Sequence, residues 1–288
     1  MFIIIFYSIN MTTVLSSSIH RIKHNNSFSY PGANKDDLER IKKLRIPPQW
    51  NNVEITKDKT KKIQVTGYDV KKRKQYIYHP EWIKIAKEEK FKAIKKFSYT
   101  RYKNIINKYI NLKNLSSKCI ICNMLKIMED LNIRVGNDIY LRDNNSIGLT
   151  TMMKKNLKGD VLSFRGKKGI FYTKVIKDSR TKEFIRKILR IQSKFLFINN
   201  NGERITHHDL NTFLKQEIGE GITCKDIRTY NANVIFLNYM RKLTLPENAS
   251  ARKKNLISGI KYTAEKLGNT PKVCRDSYIS PDNINKFV

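Results

Sequence analysis

Lys225-Asp226-Ile227-Arg228-Thr229-Tyr230 is followed along the chain by Leu267-Gly268-Asn269-Thr270-Pro271 and then by Cys274-Arg275-Asp276-Ser277-Tyr278. An arginine, a small amide donor and a tyrosine on successive helices can converge on one phosphate. The tyrosine then supplies the attacking oxygen, and the other two surround the charge that the attack creates. This is the outline of chemistry that cuts a phosphodiester through a side-chain nucleophile. The surrounding text supports helices: Thr206 is followed three positions later by Asp209, and Thr223 by Asp226, both spaced as capping boxes.

Upstream, Val161-Leu162-Ser163-Phe164-Arg165 and Ile170-Phe171-Tyr172-Thr173-Lys174-Val175 flank Gly166-Lys167-Lys168-Gly169, which predicts a β-hairpin with Lys167 at its tip. Arg134 lies in Arg134-Val135-Gly136-Asn137, after an apolar stretch of helical period that carries Cys119 and Cys122. Displacement at phosphorus builds negative charge on a five-coordinate centre, so fixed cations supply most of the stabilisation. Arg228 and Arg134 suit that task, because a guanidinium bridges two phosphoryl oxygens and stays charged. Lys167 can give a proton to the departing 5′ oxygen and take it back on rejoining, a role that Lys168 equally fits by composition. Tyr278, with a free pKa near about 10, needs such cations beside it. Each of these residues also has an ordinary reading, as a surface ion pair, an exposed turn lysine or a structural tyrosine, one of 14.

The 288-residue chain carries 57 Lys and Arg against 25 Asp and Glu, a formal charge of +32. That excess repels itself unless a polyanion shares it, which points to nucleic acid. Charge alone equally fits a basic binder without chemistry. No carboxylate cluster, histidine-rich motif or phosphate-binding glycine loop is present, so neither metal-dependent cleavage nor nucleotide hydrolysis has a visible home. The expectation is an enzyme with no metal and no cofactor. The broken bond's energy is kept in a phosphotyrosine link, which the free hydroxyl reverses. Cys119-Ile120-Ile121-Cys122 lacks a second ligand pair for zinc, and its helical setting makes the cysteines reduced core residues, as in an intracellular, reducing compartment.

Residues 1–34 show no sustained apolar period and predict a mobile arm; Phe2 to Tyr7 is too short to span a membrane, and Met11 is a candidate start. Residues 35–90 predict a β-rich domain. Leu44-Arg45-Ile46-Pro47-Pro48 forms a stiff extended turn, and Val53-Glu54-Ile55 and Ile63-Gln64-Val65 are strands. Arg73-Lys74-Gln75-Tyr76-Ile77-Tyr78 alternates basic and aromatic groups. From Trp82 to Leu115 the text turns helical and basic, so residues 91–288 predict a mainly α domain. The fold class is α+β.

These motifs, in this order, resemble the compact type IB DNA topoisomerases of poxviruses, bacteria and giant viruses. The markers include Leu44-Arg45-Ile46-Pro47-Pro48-Gln49-Trp50, Gln64-Val65-Thr66-Gly67-Tyr68-Asp69 and Arg73 through Pro80 in the first half. Arg134-Val135-Gly136-Asn137, Gly148-Leu149-Thr150-Thr151, Phe164-Arg165-Gly166-Lys167 and the opening stretches carry it through the second half. The resemblance implies a C-shaped clamp of a small β-rich domain and a larger helical catalytic domain around double-stranded DNA, acting as a monomer. Arg134 and Arg228 look like its phosphate-binding arginines, Lys167 its general acid, Asn269 its amide donor and Tyr278 its nucleophile. Arg73, Lys74, Gln75, Tyr76 and Tyr78 fall on its DNA-contact segment. It further implies relaxation of supercoils of both signs through a 3′-phosphotyrosyl intermediate, without nucleotide, metal or membrane; a viral member would work at the virion or the viral replication site.

Three departures from the poxvirus pattern stand out. Asn269 replaces a histidine, as is usual in the bacterial and giant-virus branch; it still donates a hydrogen bond but carries no charge. Asn137 and Ile139 replace basic residues that poxvirus enzymes use on DNA, which argues against the same pentanucleotide preference. Only 10 residues follow Tyr278, which predicts a trimmed tail behind it. Tyrosine site-specific recombinases share the fold and a related Arg, Lys, Arg, Tyr set. Their second arginine usually follows a His-x-x-Arg pattern, whereas Lys225 fills that first position here.

Overall fold

Alternating burial makes strands of the short β-branched runs in the first part of the chain. The computed structural model describes residues 18–25, 27–110, 114–244 and 246–288. The chain divides into two compact units, Met1–Glu88 and Glu89–Val288. In the first, β1 (Ser18–His20), the small hairpin β2 (Ile22–Lys23) and β3 (Phe28–Ser29), and α1 (Lys35–Leu44) precede β4 (Asn51–Thr56), β5 (Ile63–Tyr68) and β6 (Lys74–Tyr78). An antiparallel sheet runs in the order β1-β4-β5-β6. Val53, Ile55 and Val65 turn inward at period two and meet Ile19 and Ile41 in one core.

Two expectations need correction here. The predicted arm lies outside the described residues through Ser17, as do Phe2 to Tyr7 and Met11. From Ser18 onward the chain is paired, with Ile19 1% exposed and the Arg21 guanidinium bonding the Pro47 and Trp50 carbonyl oxygens. A three-residue strand with one inward apolar side chain leaves no periodicity to detect. Leu44 and Arg45, read as part of an extended turn, instead end α1. Its start was legible in Asn34 and Asp37, which form a reciprocal capping box.

Pro80, in the first unit, opens α2 (Pro80–Lys96), and α3 (Tyr99–Ile110) follows in the second, so the helical, basic stretch is two helices; the break falls at Phe97 and Ser98, where the Ser98 hydroxyl accepts the Arg101 amide. The division between the units lies inside α2. Next comes α4 (Ser117–Leu131), with Cys119, Ile120, Ile121, Cys122, Met124, Leu125, Ile127 and Met128 all buried, as the centre of the larger core. The rest runs α5 (Asp138–Asn144), β7 (Leu157–Lys158), β8 (Val161–Arg165), β9 (Phe171–Val175), α6 (Ser179–Leu189), α7 (His207–Glu217), α8 (Cys224–Met240), α9 (Ala249–Leu267), α10 (Pro271–Ser277) and α11 (Pro281–Asn285). β7, β8 and β9 form an antiparallel sheet, with Lys167–Gly169 as a single 3₁₀ turn between β8 and β9. Capping boxes start α7 at Thr206 and Asp209 and α8 at Thr223 and Asp226. The α+β class and the hairpin match the sequence reading. Among the described residues no helix is long and apolar enough to cross a membrane.

The short tail is packed. Phe236, Met240, Ile260, Ala264, Cys274 and Ile279 form a second core in this unit, on which Tyr278, Ile284 and Phe287 rest. Phe287 meets the Phe236 ring edge-on at 6.0 Å. All four cysteines are buried, and none forms a disulfide. Burial pushes the Cys224 thiol up to about 12 and the Cys274 thiol to about 11, so both stay protonated and act as small apolar residues.

Candidate active site

Arg134 is set by a close approach of two loops. Leu149 and Thr150 donate backbone hydrogen bonds to the Arg134 and Val135 carbonyl oxygens at 2.8 Å each. A Cβ on Gly148 would lie 2.4 Å from the Gly136 Cα, so only glycines allow this pairing. The two motifs, separate in sequence, are therefore one structural device. From it the Arg134 guanidinium reaches the end of α9, donating to Asn269 Oδ1 at 2.5 Å and to the Gly268 carbonyl oxygen at 3.4 Å.

Gly268 ends α9 in the left-handed region, at φ 61°, and turns the chain so that Asn269 faces Arg134. Thr270 then caps α10, with Pro271 in its first turn, and Tyr278 closes that helix. The Asn269 amide has one end engaged by Arg134, while its Nδ2 is buried without a partner among the described residues.

Arg228 projects from the first turns of α8 and is only 6% exposed. Its Nη1 donates to the Asn132 carbonyl oxygen and its Nη2 to that of Leu267, so the guanidinium ties the end of α4 to the end of α9. Its Nε is buried with no partner among the described residues. Burial first, and then Arg134, lowers its pKa to about 10, while Tyr278 pulls the other way. The guanidinium carbon sits 5.8 Å from the centre of the Tyr278 ring. Tyr278 is held from behind by Asn233, whose Nδ2 donates to its carbonyl oxygen at 2.8 Å while its Oδ1 accepts from the Ser280 amide.

Arg134 thus meets Asn269 and Arg228 meets Tyr278, and the two pairs share the end of α9, where Arg228 bonds the Leu267 carbonyl oxygen and Arg134 that of Gly268. Lys167 is exposed at the hairpin tip and lines the same depression as Asn132 and Arg134. It makes no contact with Tyr278. Lys168, its compositional rival, takes the left-handed conformation at φ 65° and does not line that depression. Among the described residues no carboxylate is hydrogen-bonded to Arg134, Asn269, Arg228 or Tyr278.

Two residues that the sequence reading passed over help to build the site. Tyr172, on β9, stacks on Phe164 at 5.5 Å, donates to the Gly268 carbonyl oxygen at 3.1 Å and accepts from Arg134 at 3.5 Å. It pins the hairpin to the α9 terminus. Asn233 does the same for Tyr278. The alternation of β9 marks Tyr172 as inward-facing, but no local signal singles out Asn233.

The other expected set lies in the first unit, on β6, an edge strand. Lys74, Tyr76 and Tyr78 are exposed and share one face, with the tyrosine rings stacked at 6.1 Å and the Lys74 ammonium 5.9 Å from the Tyr76 ring. Gln75 turns to the opposite face, and its amide donates to Asp69 Oδ2 at 3.0 Å. Arg73 is paired with the same carboxylate at 2.6 Å. In the second unit, Asn137 caps α5 by accepting the Ile139 amide, and Ile139 is 55% exposed beside an equally open Tyr140.

Two arginines, Arg228 buried and Arg134 partly buried, gather with the Asn269 amide and the Tyr278 ring, and the hairpin Lys167 lies nearby, which is the residue set expected of enzymes that attack phosphodiesters through tyrosine. Residues 50–286 match the family described as eukaryotic DNA topoisomerase I, catalytic core, and residues 30–69 the bacterial DNA topoisomerase IB, N-terminal domain. DNA topoisomerase 1B of Acanthamoeba polyphaga mimivirus is 32% identical over 92% of this chain and 86% of its own length. DNA topoisomerase I of Monkeypox virus is 27% identical over 84% of this chain and 79% of its own. The chain belongs to the type IB DNA topoisomerase family and is an isomerase of that type. The XerA recombinase structure, 12% identical over 66% of this chain and 60% of its own, superposes with a TM-score of only 0.44, too low to bear on function.

Proposed function

We propose that this enzyme relaxes positive and negative supercoils in duplex DNA by cutting and resealing one strand, with neither ATP nor a metal ion. Tyr278 gives up its hydroxyl proton to solvent, and its Oη attacks the phosphorus and forms a phosphotyrosyl bond to the 3′ side of the nick, while the bond from phosphorus to the 5′ oxygen breaks. Lys167 gives that oxygen its proton. The freed end swivels, and its hydroxyl then attacks back, returning its proton to Lys167 and expelling Tyr278 as a phenolate that takes a proton from solvent. Arg228, Arg134 and Asn269 bind the non-bridging oxygens, whose charge grows as the attack proceeds.

The observation that carries this reading is the pair of buried donors, Arg228 Nε and Asn269 Nδ2, that have no partner within the described protein beside Tyr278 and Arg134. Buried donors are costly to leave unmade, and phosphoryl oxygens complete them. The protein acts as a monomer, and Lys74, Tyr76 and Tyr78 meet the duplex from their shared face, with Arg73 and Gln75 behind them. The buried, protonated thiols suit a reducing compartment.

The test is relaxation of positively and negatively supercoiled plasmid by the protein alone, in EDTA, at low salt and without nucleotide. Relaxation of both is expected. Failure on both, or an absolute need for a divalent cation, overturns the proposal. Strand exchange between two duplexes through a synaptic tetramer would assign recombinase chemistry instead.

A further inference from the structure

β9 turns two side chains inward, Tyr172 and Lys174, while Phe171, Thr173 and Val175 face out. Tyr172 is committed to Gly268 and Arg134, as described. Lys174 lies two positions along, about 7 Å further on the same face. Its ammonium stands 6.0 Å from the Tyr172 ring and lines the depression that Asn132, Arg134 and Lys167 share. It is half-buried, yet among the described residues no carboxylate pairs with it and no hydrogen-bond acceptor takes it.

Its charged surroundings are all of one sign. Burial first, then Arg228 and Lys266, holds its pKa below the usual lysine value. A half-buried ammonium facing an arginine and another lysine is unfavourable unless an anion sits among them. Lysines elsewhere in this unit solve the problem with local carboxylates, as Lys126 does with Asp130 and Lys182 with Asp160. Lys174 has no such solution among the described residues.

We propose that Lys174 contacts the DNA directly, binding a non-bridging oxygen of a phosphate adjoining the one that Tyr278 attacks. This rests on the proposed function, since it takes the depression between the hairpin and the Asn132–Arg134 stretch as the path of the cut strand. The role is distinct from that of Lys167. Lys167 stands at the exposed hairpin tip and acts on a leaving oxygen, whereas Lys174 is set back along the strand and supplies fixed positive charge. It positions the strand rather than moving a proton.

The experiment is single-turnover cleavage of a labelled duplex by the wild type, Lys174→Gln and Lys174→Arg, repeated on duplexes that carry one neutral methylphosphonate at each phosphate flanking the cut. Lys174→Gln should slow cleavage by about tenfold or more, the weight of a charge-assisted contact, and Lys174→Arg should restore most of the rate. On one of the methylphosphonate duplexes the wild type and Lys174→Gln should cleave equally fast, because the partner charge is already gone. Equal rates on the unmodified duplex overturn the proposal. So does a deficit that persists on every methylphosphonate duplex, as a purely structural role would give. Rescue of Lys174→Gln by a 5′-thiolate leaving group also overturns it, since that marks a proton donor. A wild type that forms no adduct at Tyr278 defeats the proposed function itself, whereas a normal wild-type adduct with an indifferent Lys174 defeats only this inference.

Discussion

Arg134 donates to Asn269 Oδ1 at 2.5 Å, which fixes the amide so that its Nδ2, buried and unpartnered, is left for another acceptor. On the proposed function, this arrangement lets an uncharged residue bind a phosphoryl oxygen at Asn269. Arg134 orients the amide, and the amide offers one aimed hydrogen bond. Asn269→Ala should slow cleavage by about 10²-fold, the usual loss for one donor to a developing oxyanion. Asn269→Asp should be slower still, because its carboxylate neutralises Arg134 and repels the phosphate. Single-turnover rates on one duplex decide the order; an Asp variant faster than the Ala variant removes the donor role.

Tyr278→Phe is expected to bind DNA normally and form no covalent adduct. The ring's packing on the second core does not involve the hydroxyl, whose bond is to the Arg228 guanidinium within the site, and Asn233 holds the backbone of residue 278 rather than its side chain. The fold is therefore kept while the nucleophile is lost. Denaturing gels after mixing with labelled duplex give the measurement. An adduct in the Phe variant places the nucleophile elsewhere among the tyrosines.

What the sequence made legible follows the range of the interactions involved. The capping boxes of α7 and α8, the β8 to β9 hairpin and the buried cysteine helix rest on residues within a few positions of one another, and local chemistry writes itself into local spacing. The residues of the candidate site were picked out by chemistry and motif order, because no periodicity announces that Arg228 will reach Asn132 and Leu267. Strand β1 stayed invisible because a single inward Ile19 makes no pattern, and α1 was passed over although Asn34 and Asp37 announced it. The contact segment on β6 was treated as one set, yet strand alternation alone separates Gln75 from Lys74, Tyr76 and Tyr78. Asn233 was beyond reach, since its partners lie in the tail and only the fold brings them near.

Lys167→Ala should reduce cleavage by about 10²- to 10⁴-fold, as loss of a general acid does. A duplex with a 5′-thiolate leaving group at the cut needs no proton and should recover most of that loss. Lys168→Ala should fall short of such an effect, because its backbone turns left-handed and its side chain leaves the depression that Lys167 lines. If the thiolate rescues Lys168→Ala and not Lys167→Ala, the acid is Lys168.

Gly268 joins helix termination to catalysis, and its replacement should damage both. A Cβ there would lie 2.5 Å from the Tyr172 ring, and the left-handed backbone, at φ 61°, already disfavours a side chain. Gly268→Ala should therefore cost about 2 kcal/mol or more in stability, summing backbone strain and overlap. Because the Gly268 carbonyl oxygen accepts from both Tyr172 and Arg134, cleavage should slow beyond what lost stability explains. Tyr172→Ala made together with Gly268→Ala removes the overlap but not the strain. The double variant should thus be more stable than the sum of the two single losses, with an interaction of about 1 kcal/mol or more. Urea midpoints of the four proteins close this cycle, and strict additivity would mean that the ring and the glycine do not meet.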